Sequence, residues 1–176
     1  MKPKIKRFIC AFILVIISFV LQTTVFSWLS FGGIVPNILL ILTVTYSIMK
    51  GDRVGIIIGF FCGILSDVFF STFIGLNAIF FMMIGFVNGK FHQVFYEDDV
   101  KLPLVLIFTS DLLYGLAYYV IMFLLRARFD FSFYFLKIIL PEVIYTIALT
   151  LLYYPILLLI HKLLDKSDSK EGMRFV

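Results

Sequence analysis

The sequence is poor in charge: only 15% of its 176 residues are Asp, Glu, Lys or Arg. A typical soluble domain carries about 25% charged and about 45–50% apolar residues, whereas 62% of this chain is hydrophobic. The few charges lie in clusters between long apolar runs. This pattern predicts an integral membrane protein. The net charge of +4 is assigned to membrane orientation, because no soluble domain or aromatic-basic patch exists to bind nucleic acid.

Cysteine is scarce and catalytic motifs are missing. Cys10 and Cys62 both lie inside apolar runs, form no CxxC pair and have no histidine nearby, so we expect neither a disulfide nor a metal site. No GxSxG, HExxH, Walker or kinase pattern is present. The sequence therefore predicts a protein that is not an enzyme, with no catalytic residues and no cofactor.

The apolar runs predict an all-α, polytopic membrane protein with six transmembrane helices, since a span needs about 20 apolar residues. The predicted spans make a single transmembrane domain over residues 1–164, followed by a polar cytoplasmic tail at 165–176 that we expect to be disordered. An alternative merges the third and fourth spans into a re-entrant hairpin. The predicted spans are 8–29, 34–49, 54–70, 76–95, 102–125 and 138–160.

The basic residues predict the orientation. Most of them lie on the side that holds both chain ends, and the opposite side has only Arg126, Arg128 and Lys137. The positive-inside rule then places both termini in the cytoplasm, which also requires an even number of spans. The predicted inner residues are Lys2, Lys4, Lys6, Arg7, Lys50, Arg53, Lys90, Lys101, Lys162, Lys166, Lys170 and Arg174.

Glycine recurs at intervals of four in the third span, and the next step of four reaches Asp67. Residues four apart share one face of a helix, and small residues let membrane helices pack closely. This helix is therefore predicted to be the centre of the bundle. A matching pair in span four is predicted to pack against it, although the spacing equally allows a partner outside the chain, including a homo-oligomer. These helix-packing residues are Gly51, Gly55, Gly59, Gly63, Gly85 and Gly89.

Three acids fall inside predicted spans: Asp67, Asp111 and Glu142. An acid at membrane depth is by default a functional hypothesis. The first interpretation is structural: each acid bonds a hydroxyl nearby in sequence and holds helices together, so Asn should replace Asp67 better than Leu does. Binding of a partner protein and handling of protons or substrate are the alternatives. The hydroxyl partners expected were those of Ser66, Ser110, Tyr114 and Tyr145.

Pro141 precedes Glu142 directly and allows two interpretations. Inside a helix it would remove a backbone hydrogen bond and kink the chain, which would shape an intramembrane pocket beside the acid. In the first turn of a helix it would cost little.

Several stretches together carry a family resemblance. They are LQTTVF (21–26), FGGIVPNILL (31–40), GFFCGILSD (59–67), GLNA (75–78) and LPE (140–142). In this order, over a chain of this length with basic ends, they resemble the MreD family of rod-shape-determining membrane proteins of bacteria. The resemblance covers residues from about 20 to 160.

The resemblance implies a non-enzymatic scaffold for cell shape and lateral peptidoglycan synthesis in the bacterial cytoplasmic membrane. It implies binding to MreC and, through MreC, to MreB, RodA and a class B penicillin-binding transpeptidase. It also implies a fold similar to the S components of energy-coupling-factor vitamin transporters. The alternative function is such an S component. The Ala-x-x-x-Ala pattern by which S components dock their partner is absent, because the residue four positions after Ala11 is Val15. A proton-linked transporter with Asp111 as relay is a third class.

Overall fold

The structure, a computed structural model, describes residues 3–30, 33–71, 73–95, 100–126 and 131–172, and within these ranges it has no β-strand. Six main helices, with short helical turns between them, fit a membrane protein. In chain order the elements are α1 (Pro3–Thr23), α2 (Val25–Trp28), α3 (Ile38–Lys50), α4 (Asp52–Phe70), α5 (Leu76–Gly89), a 3₁₀ turn (Lys90–Val94), α6 (Lys101–Arg126), α7 (Phe131–Tyr134), a π-helical turn (Phe135–Ile139) and α8 (Leu140–Gly172).

The centre of the bundle is α3. Every residue from Ile38 to Met49 is buried, and α3 packs against α1, α4, α5, α6 and α8. The prediction that the glycine-rich helix α4 is the centre is therefore wrong. The residues of α3 are mainly apolar and are buried on every face of the helix, which is the pattern of a helix enclosed by protein. In contrast, α4 buries mainly its small-residue face.

In the part of the chain that the structure describes, four helices are long and apolar enough to cross a membrane: Phe8–Trp28, Asp52–Phe70, Lys101–Ile121 and Phe131–Leu163. The other two are shorter, with 13 residues in α3 and 14 in α5. At about 1.5 Å per residue, each of these is about 20 Å long, less than the ~30 Å of a bilayer core.

Several helix boundaries differ from the sequence-based prediction. The first span is interrupted at Thr24, and α3 starts only after Asn37, so Pro36 precedes the helix. The last helical path starts at Phe131 rather than 138 and passes through the π turn, which places Pro141 inside it. Its other end reaches Gly172, so the first part of the tail is helical rather than disordered. Residues 173–176 lie outside the described part of the chain.

Candidate functional site

A seam of glycines joins α4 to α5. A Cβ atom on Gly55 would overlap the backbone carbonyl of Gly85, and one on Gly59 would overlap the carbonyl of Phe81. One on Gly63 would strike the backbone of Ala78. The two backbones are therefore in direct contact along the helices, and only glycine fits at these positions. We call this contact the glycine seam.

Two other glycines of the predicted helix-packing set, Gly89 and Gly51, differ from each other. Gly89 belongs to the seam, because a Cβ atom there would overlap the backbone of Asp52. Gly51 does not lie on the helix, because it separates α3 from α4 with a φ of 89°. A Cβ atom on Gly51 would meet only the His92 ring, at 3.8 Å. The left-handed backbone, rather than close helix packing, favours glycine at position 51.

Asp67 caps the N-terminus of α5. Its Oδ2 atom accepts the N–H groups of Gly75 (2.9 Å) and Ala78 (3.0 Å), and its Oδ1 atom accepts the N–H of Asn77 (3.0 Å). The carboxyl group is fully buried. The first N–H groups of a helix have no partner within the helix, and the helix dipole favours negative charge there. Asp67 therefore fixes the turn between α4 and α5.

Asn77 extends this cap to α6. Its side-chain Nδ2 donates to the Ser66 hydroxyl at 3.3 Å, and its Oδ1 accepts the Tyr114 hydroxyl at 2.9 Å. The Tyr114 ring stacks on Phe81, with ring centroids 5.4 Å apart. The predicted bond between Ser66 and Asp67 is therefore not formed, because Ser66 bonds Asn77 and backbone N–H groups occupy Asp67.

Asp111 has a different environment. The residue is 2% exposed, and neither of its carboxyl oxygens has a hydrogen-bond partner among the described residues. Asn37 and Thr146 are the polar side chains beside it, without reaching hydrogen-bond geometry. The predicted partners are engaged elsewhere: Ser110 accepts from Asn88 Nδ2 at 2.8 Å, and Tyr114 donates to Asn77.

Glu142 is half-buried on α8 and interacts electrostatically with Asp111. The predicted partner Tyr145 instead donates from its hydroxyl to the Leu29 carbonyl at 3.3 Å. The π turn of residues 135–139 ends just before Pro141. Proline lacks an N–H and its ring clashes with the carbonyl four residues earlier, and a locally wider helix relieves this conflict. The structure thus brings Asp111 and Glu142 together, whereas Asp67 lies in its own cap.

The N-terminus of α3 is a polar centre that the sequence analysis missed. Asn37 Oδ1 accepts the N–H of Leu40 at 3.2 Å, and Gln22 Oε1 accepts the N–H of Leu39 at 3.1 Å. The Asn37 N–H donates to the Thr146 hydroxyl at 3.1 Å, which ties α3 to α8. An Asn directly before an apolar run is a recognisable N-cap signal, but the contacts from Gln22 and Thr146 depend on tertiary structure.

These groups differ in what they can do chemically. The Asp67 cap is satisfied within the chain, while the Asp111 carboxyl retains unused acceptor atoms next to a second acid. Among the described residues there is no group of three or more His, Cys, Asp or Glu side chains that could hold a metal ion.

Comparison with known proteins identifies a family. A family model described as "rod shape-determining protein MreD" matches residues 2–164, which is nearly the whole chain. No curated protein and no solved structure matches. The likeness to S components of vitamin transporters therefore stays an expectation.

Proposed function

The chain belongs to the MreD family of rod shape-determining membrane proteins, and on this premise we propose that it is a non-enzymatic scaffold of the bacterial cell-elongation complex. In this function it supports cell shape and lateral peptidoglycan synthesis from the cytoplasmic membrane. We propose six spans with both termini in the cytoplasm, in agreement with the distribution of basic residues. The family match over residues 2–164 is the observation that carries the proposal.

The packing supports a scaffold. The glycine seam and the buried helix α3 make a rigid body, because helices whose backbones are in contact cannot move closer together and have no space between them. Apolar side chains cover much of the outer surface, including Phe8, Ile13 and Ile17 on α1. Such a body is suited to hold the spans of other membrane proteins in fixed positions, since membrane helices associate by close packing rather than by exclusion of water.

The partner proposed is MreC, a single-span protein with an extracytoplasmic domain, as the family resemblance implies. Through MreC the chain would join MreB, RodA and a class B penicillin-binding transpeptidase. The glycines of α4 in the seam already contact the backbone of α5, so their surface is not available to another protein. We therefore assign partner binding to other surfaces of the bundle, and a homo-oligomer would also have to use those surfaces.

Affinity purification in detergent followed by mass spectrometry tests the proposal. The tagged chain, expressed at its natural level in its own bacterium, should recover a single-span protein with an extracytoplasmic domain. A Gly59→Leu variant serves as control, because opening the glycine seam should abolish recovery together with the fold. Recovery of an ATPase module with a bound vitamin, and no single-span protein, would overturn the proposal in favour of an S component.

A further inference from the structure

The two most buried acids of the bundle, Asp67 and Asp111, are a natural comparison. Both carboxyl groups are enclosed by protein, at 0% and 2% exposure. Asp67 accepts three backbone N–H groups, whereas Asp111 accepts none. Burying a charged group without partners is costly, and buried charges in proteins are paired or coordinate metals. The two oxygens of Asp111 therefore need a partner, and the described part of the chain gives them no hydrogen bond.

A second carboxyl group lies within electrostatic range of Asp111. Glu142 of α8 interacts electrostatically with it across the contact between α6 and α8. The two helices come close here because Gly115 has no side chain: a Cβ atom at this position would lie 3.1 Å from Ile139 of the π turn. Two like charges at short range in a medium of low dielectric repel strongly. A cation between them removes this repulsion.

The surrounding groups are hard oxygen ligands. Thr146 contributes a hydroxyl one turn beyond Glu142 on the same face of α8, and the Asn37 side chain lies beside Asp111 from α3. Carboxylate, hydroxyl and amide oxygens without sulfur or imidazole are the ligands of Mg²⁺, Ca²⁺ and Na⁺ rather than of zinc or copper.

The two acids differ in exposure. Asp111 is enclosed, while Glu142 is half-buried next to the π turn. Single π turns inserted into α-helices occur frequently at functional sites. Two ionised carboxyl groups and one divalent cation together carry no net formal charge, which is the least costly state inside a bilayer.

We infer that Asp111 and Glu142 form a binding site for a hard metal cation, completed by the hydroxyl oxygen of Thr146, which also accepts the Asn37 N–H at the start of α3. The site joins α6 and α8 to the N-terminus of α3, and a bound cation stabilises the junction of these three helices. This inference is independent of the scaffold function, because it concerns ion binding by the isolated chain.

Thermal unfolding of the purified full-length chain in lipid nanodiscs tests the inference. MgCl₂, CaCl₂ and NaCl are each titrated against choline chloride at equal ionic strength. At least one of these metal ions should raise the unfolding temperature of the wild type in a saturable way, since a ligand that binds only the folded state stabilises it. Asp111→Asn and Glu142→Gln should weaken the apparent affinity at least about tenfold, as loss of a ligand is at least as severe as loss of a supporting contact.

Asp52→Asn is the matched control. Asp52 lies in the first turn of α4, away from this site, and its carboxyl bonds only the N–H of Arg53 among the hydrogen bonds described. This variant should respond to the ions as the wild type does. Glu142→Gln keeps the test decisive if Asp111→Asn fails to fold, because Glu142 is less buried. Calorimetric titration of the wild type with the stabilising ion should give one binding event per chain.

Two results would overturn the inference. The first is a wild type that responds to none of the three metal ions beyond its response to choline; the two acids then share a proton instead. The second is a metal-ion response that persists unchanged in both Asp111→Asn and Glu142→Gln, which would place the ion elsewhere.

Discussion

Gly59 of α4 and Phe81 of α5 are in backbone-to-backbone contact. A Cβ atom on Gly59 would overlap the carbonyl oxygen and carbonyl carbon of Phe81. A backbone carbonyl inside a helix cannot swing away as a flexible side chain can. The contact therefore fixes the separation of the two helices, and it does so at the middle of the glycine seam.

Gly59→Ala should destabilise the protein although alanine is the better helix former. The gain in helix propensity is about 1 kcal/mol, whereas the seam must open to admit the methyl group, at a cost of about 1–3 kcal/mol or more. Gly59→Leu and Gly63→Leu should cost still more. Thermal unfolding in detergent, together with the amount of protein in the membrane, measures the effect.

Gly115→Ala is the matched control for the seam. It makes the same chemical change inside α6, but the new methyl group would meet only the side chain of Ile139, which can move. Ile139 need give only by a few tenths of an ångström, so the unfolding temperature should fall less than in Gly59→Ala. If Gly59→Ala is as well tolerated as Gly115→Ala, the seam is not in contact in the membrane.

Asp67→Asn and Asp67→Leu should both destabilise the turn between α4 and α5. Asp67 accepts three N–H groups with two oxygens, but an amide has one oxygen and turns its own NH₂ group towards a donor. Each buried N–H left without a partner costs about 1–3 kcal/mol. The expectation from sequence that Asn is tolerated therefore does not suit this geometry.

Ser66→Ala is the control for Asp67, because it removes only the 3.3 Å bond from Asn77 Nδ2 and leaves the cap in place. Its unfolding temperature should stay near that of the wild type. A stable Asp67→Asn variant would mean that the carboxyl group does not cap α5. Asp67→Leu should destabilise the turn more than Asp67→Asn, because leucine leaves all three N–H groups without an acceptor, whereas asparagine keeps one oxygen.

Asn37→Ala should loosen the start of α3. The variant loses the acceptor for the Leu40 N–H, and loss of an N-cap costs about 1 kcal/mol. Asn37→Ser, which restores a capping oxygen, should recover much of the stability. The unfolding temperatures of the two variants are compared with that of the wild type. A Ser variant no better than Ala would show that the side-chain amide acts through Asp111 instead.

The proposed orientation is tested by labelling single cysteines in intact cells, after replacement of Cys10 and Cys62. A cysteine at position 168 should react only after the membrane is made permeable, whereas one at position 130 should react from outside. Both positions are polar in the native sequence, so the substitution should be tolerated. External labelling at 168 but not at 130 would reverse the proposed orientation.

The sequence predicted those features that follow a helical period. Gly55, Gly59 and Gly63 recur every four residues, and this period alone places them on one face of a helix. The central position of α3 had no such signal, because a helix that is apolar all round shows no preferred face. The short predicted span 34–49 gave no indication of a central helix.

The hydrogen-bond partners of the acids could not be predicted from nearby hydroxyl groups. Asp67 bonds backbone N–H groups eight to eleven residues away, which depend on where α5 begins. Every residue except proline offers such an N–H, so sequence gives no means of choosing among them. The meeting of Asp111 with Glu142 depends on the π turn and on Gly115, and neither is recognisable before the helices are placed together.

The cap on α5 has a consequence for how the protein is made. During synthesis α4 leaves the ribosome with Asp67 near its C-terminal end and with glycines along one face. Exposure of either the acid or the glycine face to lipid is unfavourable. Both are covered only when the N-terminal turn of α5 has also been synthesised, since α5 supplies the N–H groups and the opposing backbone. We therefore expect the translocation machinery to release α4 and α5 into the bilayer together, as one helical hairpin.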